Sequence, residues 1–161
     1  MDMAAAKWLA DIESDMRSLE VCGYVDEPMQ LCVQALARMP SRTVQRFTVS
    51  CKYEGVQGAP RRYRATPLAP LIERACPVVP GRSEFHRLAI LAESADGYRA
   101  MFSWMELFHT RVGSGVLVAY DCDDAPFEPH SGRFALLSLY DEFTGPRHVR
   151  DLVRLKVQRI W

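Results

Sequence analysis

Little in this sequence points outward. The 161 residues carry 20 basic and 20 acidic side chains, a formal net charge of +0. That balance excludes a general attraction to nucleic acid or to lipid headgroups, and it leaves only local patches to provide one. No window approaches the roughly 18 unbroken apolar residues of a spanning helix, so no membrane segment is expected. The N-terminus lacks the basic start and clean apolar run of a secretory signal, with Asp2, Asp11, Glu13 and Asp15 in its first stretch; it predicts a cytoplasmic protein. None of the five cysteines forms a C-x-x-C pair, which argues against a zinc ribbon or a thioredoxin-type redox pair. An odd number of thiols in a reducing compartment reads as free cysteines, most of them packed as small apolar side chains. The acidic stretch 121–128, followed by His130, has neither the glycine nor the glutamate spacing of a calcium loop. There is no internal repeat, no low-complexity linker and no haem-binding segment.

What remains suits one domain with a substantial core, since 48% of the residues are apolar. Residues 1–18 read as an amphipathic helix preceding a domain over 19–161, and the exposed face of that helix could pair subunits into a homo-oligomer. Strands are expected at 19–24, 43–50, 87–92, 98–102, 116–120, 134–139 and 152–160, with extended chain at 29–33. The hairpin over 87–102 turns at Asp96-Gly97. A helical turn at 34–39 stops at Pro40. Thr66-Pro67 reads as the cap and first position of a helix to about Ala75, and Ser103 with Glu106 as the capping box of a helix over 104–110. Residues 51–62, holding Gly55, Gly58 and Pro60, read as a loop. About seven strands interleaved irregularly with short helices predict an α+β fold with a mixed, barrel-like sheet core.

Two places could carry chemistry. Cys51 follows an apolar strand and opens a segment with Lys52, Arg61, Arg62 and Arg64; cationic neighbours favour the thiolate, which attacks electrophiles and binds soft metals. The bland alternative is a buried thiol with solvated arginines nearby. In the run Thr144–Arg150, Gly145 permits close backbone approach, and Arg147 and Arg150 offer forked donors suited to phosphate. Here the alternative is a solvated sheet edge. A cysteine hydrolase would need His130 or His148 within hydrogen-bond reach of Cys51.

Taken in order, the segments LEVCGYVDEP, the Leu36–Pro40 turn, the strand ending at Cys51, YRATPLAPLIERA, the Asp96-Gly97-Tyr98 hairpin, VAYDCDDAPFEPHSG and the run from Gly145 to Val157 resemble the molybdopterin-binding domain of the sulfite oxidase family. The resemblance implies that fold and a molybdenum–molybdopterin cofactor. It makes Cys51 the catalytic thiolate ligand to molybdenum, and Gly145, Arg147, His148 and Arg150 the cofactor-binding residues. It also implies an oxidoreductase acting on a small molecule, its electrons passing to a separate protein. Tyr63 and Ala65 stand where the family pattern has tryptophan and glycine. That leaves a second expectation, a degenerate member that has lost the cofactor and serves as a non-catalytic binding or interaction module.

Overall fold

The computed structural model describes residues 2–7, 18–123, 125–127 and 133–161. Residues 3–7 are helical; the remainder of the helix expected over 1–18 lies outside the described residues. Ten strands follow: β1 (Leu19–Gly23), β2 (Met29–Leu31), β3 (Arg42–Cys51), β4 (Gly55–Pro67), β5 (Leu88–Ser94), β6 (Arg99–Ser103), β7 (Val116–Cys122), β8 (Ala125–Pro126), β9 (Ala135–Ser138) and β10 (Leu152–Arg159). Three short helices interrupt them: α1 (Val33–Ala37), α2 (Leu68–Arg74) and α3 (Trp104–His109). The fold is α+β, with a curled, half-barrel sheet arrangement. No helix among the described residues is long and apolar enough to cross a membrane.

One sheet has the order β2-β1-β10-β5-β6; in the other, β3-β4-β7-β8 run side by side and β9 pairs with β7. The β1–β10 pair is parallel and its neighbours are antiparallel, so the first sheet is mixed. The two faces of the second sheet bury different things. Along β7, Val116, Val118 and Tyr120 join the main core, while Leu117 and Ala119 join a smaller cluster with Phe47, Tyr63, Ala135 and Leu137. Strand alternation of period two does this directly. A strand buried on both faces reads as a continuous apolar run, as VLVAY does.

Local chemistry fixes the elements around the cleft. Ser103 accepts from the Glu106 backbone N–H at 3.0 Å, and the Glu106 carboxylate accepts from the Ser103 N–H at 2.9 Å. This is the capping box expected for α3. Thr66 departs from its expected capping role: it extends β4, and its hydroxyl donates to the Pro40 carbonyl at 2.9 Å. The segment 51–62, expected as a loop, is the β3–β4 turn and the outer half of β4. Phe47 pairs with Arg61 but Val49 with Gln57, so Gly58, Ala59 and Pro60 form a bulge inside a continuing strand. Gly58 supplies the positive φ of +75° that the bulge needs, and the proline sits where no ladder hydrogen bond is required. Within the acidic stretch 121–128, β7 continues through Cys122, and β8 pairs with it.

Candidate functional site

A cleft of about 1000 Å³ opens on the face of the second sheet opposite the main core, at the large end of the usual range for ligand sites. Its wall is aromatic. Phe47 and Tyr63 meet edge to face at 5.8 Å between ring centroids, Tyr63 stacks with Phe127 at 6.0 Å, and Phe47 lies 5.3 Å from the His148 ring. Tyr63 is pushed up to about 12, by burial first and then by its neighbour Cys122, so it stays a neutral phenol. The β4 bulge contributes Gln57, Gly58 and Ala59, the β5–β6 turn Ser94 and Asp96, and the loop before β10 supplies His148, Arg150 and Asp151.

The charged groups of the lining are unequally committed. Arg61 Nε meets Asp123 Oδ2 at 3.0 Å. The Arg62 backbone N–H, together with that guanidinium, holds the Asp123 carboxyl below the usual carboxylate range. Asp96 accepts from the Tyr98 backbone N–H at 2.8 Å, which lowers it as well. Cys122 lies beside both Arg61 and Asp123; burial pushes its thiol up, against the pull of the Arg61 guanidinium. Arg150 is different: it is exposed, lines the cleft, and has no ion pair or hydrogen bond among the described residues. His148 is buried, with 8% exposure. Its Nδ1 lies 3.0 Å from the Leu136 carbonyl, a geometry that requires Nδ1–H to donate. Burial, and then the Arg150 charge, push the imidazole below its ordinary value, so at neutral pH it is uncharged.

The expected site residues therefore divide. His148 and Arg150 meet in the cleft. Gly145 lies beside β3: its N–H donates to the Ser50 carbonyl at 2.8 Å, and a Cβ there would stand 2.7 Å from that same oxygen, so only glycine fits without a shift. The Thr144 hydroxyl accepts from the Ser50 N–H at 3.0 Å and donates to the Thr48 carbonyl. These bonds occupy the free edge of β3 near its end at Cys51.

Cys51 itself is half-buried and does not line the cleft. The register runs unshifted from Val49–Gln57 to Cys51–Gly55. The thiol therefore shares a strand face with Val49, which does line the cleft, and lies about 7 Å farther along. Arg147, expected as a phosphate anchor, is placed away from the cleft. Its guanidinium forks onto Asp141 at 2.8 and 2.6 Å, reaches Glu106 at 3.0 Å and lies 4.2 Å over the Phe102 ring. Its donors are taken by carboxylates within the chain, and it is absent from the cleft lining. His130 lies outside the described residues, and no hydrogen bond joins Cys51 to His148 among the described residues.

Tyr63 and Cys122 line the cleft unforeseen, and Arg61, expected as a cationic neighbour of Cys51, lines it beside Asp123. A strand through 55–67 would have revealed them: Arg61 and Tyr63 then share a face, and Tyr63 pairs with Cys122 across the β4–β7 ladder. Among the described residues, no group of His, Cys, Asp and Glu is arranged to hold a metal ion by itself.

No family model matches the chain, and no curated protein matches it. Among solved structures, the crystal structure of the sulfane dehydrogenase SoxCD from Paracoccus pantotrophus is similar, with a TM-score of 0.65 and 18% identity. The match covers 89% of this chain and 38% of that one. At such identity the likeness shows a shared fold, and this chain spans well under half the length of that protein.

Proposed function

We propose that the cleft binds a planar, phosphate-bearing pterin of the molybdopterin class, in a small member of the sulfite oxidase fold. The observation that carries this reading is one cleft holding an aromatic wall, a neutral imidazole and a guanidinium without an ion pair among the described residues, with β3 running on past Val49 to a thiol about 7 Å farther along. The residues fit the organic part of such a cofactor. Phe47, Tyr63 and Phe127 offer faces to a flat ring system, and Arg150 offers forked donors to the phosphate. Cys51, beyond Val49 on the same strand face, is the thiol that would hold the metal. Bound there, the cofactor would supply oxygen-atom and electron transfer. The chain's own part is to grip the pterin between rings and guanidinium, and to keep β3 fixed through the Thr144–Gly145 contacts.

The test is protein purified from a host that makes the molybdenum cofactor abundantly. Elemental analysis should find about one molybdenum per chain, and Cys51→Ser should lose the metal while remaining folded. Protein free of both molybdenum and pterin would reject the proposal.

A second reading is favoured by the charge of the lining. Three carboxylates, Asp96, Asp123 and Asp151, face two guanidiniums, Arg61 and Arg150, and Arg147 is held by Asp141 and Glu106. Burying a polyanion against that balance is costly. On this reading the chain keeps the fold as a non-catalytic binding module for a smaller ligand with one negative group. Binding of a simple aromatic carboxylate by metal-free protein, with no pterin recovered, would support it.

A further inference from the structure

The resemblance implies His148 as a cofactor-binding residue. Its surroundings give it another role. The ring is fixed at one end, where Nδ1–H donates to the Leu136 carbonyl, and it packs against Phe47 on one side. Nε2 is then the unprotonated nitrogen, and it has no partner among the described residues. Nε2 is not enclosed: it keeps accessible surface, and the space that His148 lines is the cleft, so a ligand seated there that displaces water without replacing its hydrogen bond is penalised. Among the described residues, the titratable and charged groups around that space are Arg61 and Tyr63 on β4, Cys122 at the end of β7 and Asp123 just after it, Asp96 in the β5–β6 turn, and Arg150 and Asp151 on the loop of His148 itself.

We infer that His148 is a specificity-determining hydrogen-bond acceptor, whose Nε2 selects aromatic anions carrying an N–H or O–H donor near the negative group held by Arg150. The cleft thereby presents an acceptor and a cation side by side. An anion without a donor leaves Nε2 unpaired, whereas one with a donor satisfies both. This deepens the reading of the cleft as an aromatic-anion site and rests on it. Acidification reverses the selection, because protonated His148 presents two N–H groups and repels a donor.

The experiment compares two probes on metal-free full-length protein by calorimetry at pH 7.5. One is indole-2-carboxylate, whose ring N–H stands beside its carboxylate; the other is benzofuran-2-carboxylate, of the same shape with an oxygen in place of that N–H. The indole should bind about tenfold more tightly, the worth of one hydrogen bond to this acceptor. His148→Phe should abolish that preference by weakening the indole alone, His148→Gln should restore part of it through its amide oxygen, and Arg150→Gln should weaken both probes. Nitrogen NMR of the wild-type imidazole reports the tautomer without any ligand. Equal binding of the two probes, or a proton on Nε2 at pH 7.5, would overturn the inference and leave the cleft reading standing. Binding of neither probe would overturn both.

Discussion

The loop between β9 and β10 has two halves that face different surroundings. Its first half, from Tyr140 to Arg147, is spent on the protein. Thr144 and Gly145 close the free edge of β3, and Arg147 ties the loop to α3 through Glu106 while gripping Asp141. In its second half His148, Arg150 and Asp151 line the cleft while Val149 anchors in the main core, and Arg150 has no ion pair among the described residues. Two arginines three positions apart thus have opposite occupations. The lesson is that a basic residue's work is set by which carboxylates reach it, and these come from elsewhere in the chain: Glu106 is 41 residues from Arg147.

That contrast can be broken most forcefully at Arg147. Arg147→Ala strands the Asp141 and Glu106 carboxylates, and urea unfolding should show a loss of about 3 kcal/mol. A loss below about 1 kcal/mol would mean that the ion triad is a solvated surface cluster. Next comes Gly145→Ala, whose Cβ meets the Ser50 carbonyl; about 2 kcal/mol is expected from the forced shift, read by the same melt. Thr144→Val, removing the hydroxyl that bridges Thr48 and Ser50, should cost about 1 kcal/mol. If the loop fixes β3, this change should also broaden the amide resonances around Cys51.

Titration gives a gentler separation of the halves. Above His148's ordinary value of 6.5 the imidazole is neutral whether the chain is folded or not. As pH falls below 6.5, the unfolded chain takes up a proton that the folded chain resists, so stability drops from there toward the lowered folded value. Burial pushes the Glu106 carboxyl up, but the Ser103 N–H and Arg147 outweigh it, leaving the group below its ordinary 4.5. The stability it contributes is present above 4.5 and is lost only as pH falls further. His148→Phe should flatten the upper limb of a stability–pH curve and Glu106→Gln should make the lower one shallower, a limb to which Asp96 and Asp123 also contribute. Smallest of all is Arg150→Gln: within about 0.5 kcal/mol of wild type in stability, with its effect confined to ligand binding.

The sequence made some of this legible. The capping box at Ser103 and the Asp96-Gly97 turn announced α3 and the β5–β6 hairpin because their signals are local. The outer half of β4 was hidden because its residues from Gly55 to Arg62 are all exposed, so no apolar alternation marks them, and its glycines and proline imitate a loop. Missing that strand also hid the pairing that sets Tyr63 beside Cys122. His148 and Arg150, singled out from charge and resemblance, both line the cleft. The capture of Arg147 was not legible in this way, since it depends on contacts between distant segments.

One feature of the second sheet bears on how such a protein can diverge. Because β7 and β9 are apolar on both faces, a change on them meant to reshape the cleft would disturb the main core as well. The β4 bulge and the β5–β6 turn line the cleft without that burden. Drift in binding preference is therefore channelled into those two segments, and descendants that recognise unlike molecules should keep VLVAY and ALLS nearly intact while varying around Gln57–Ala59 and Ser94–Asp96.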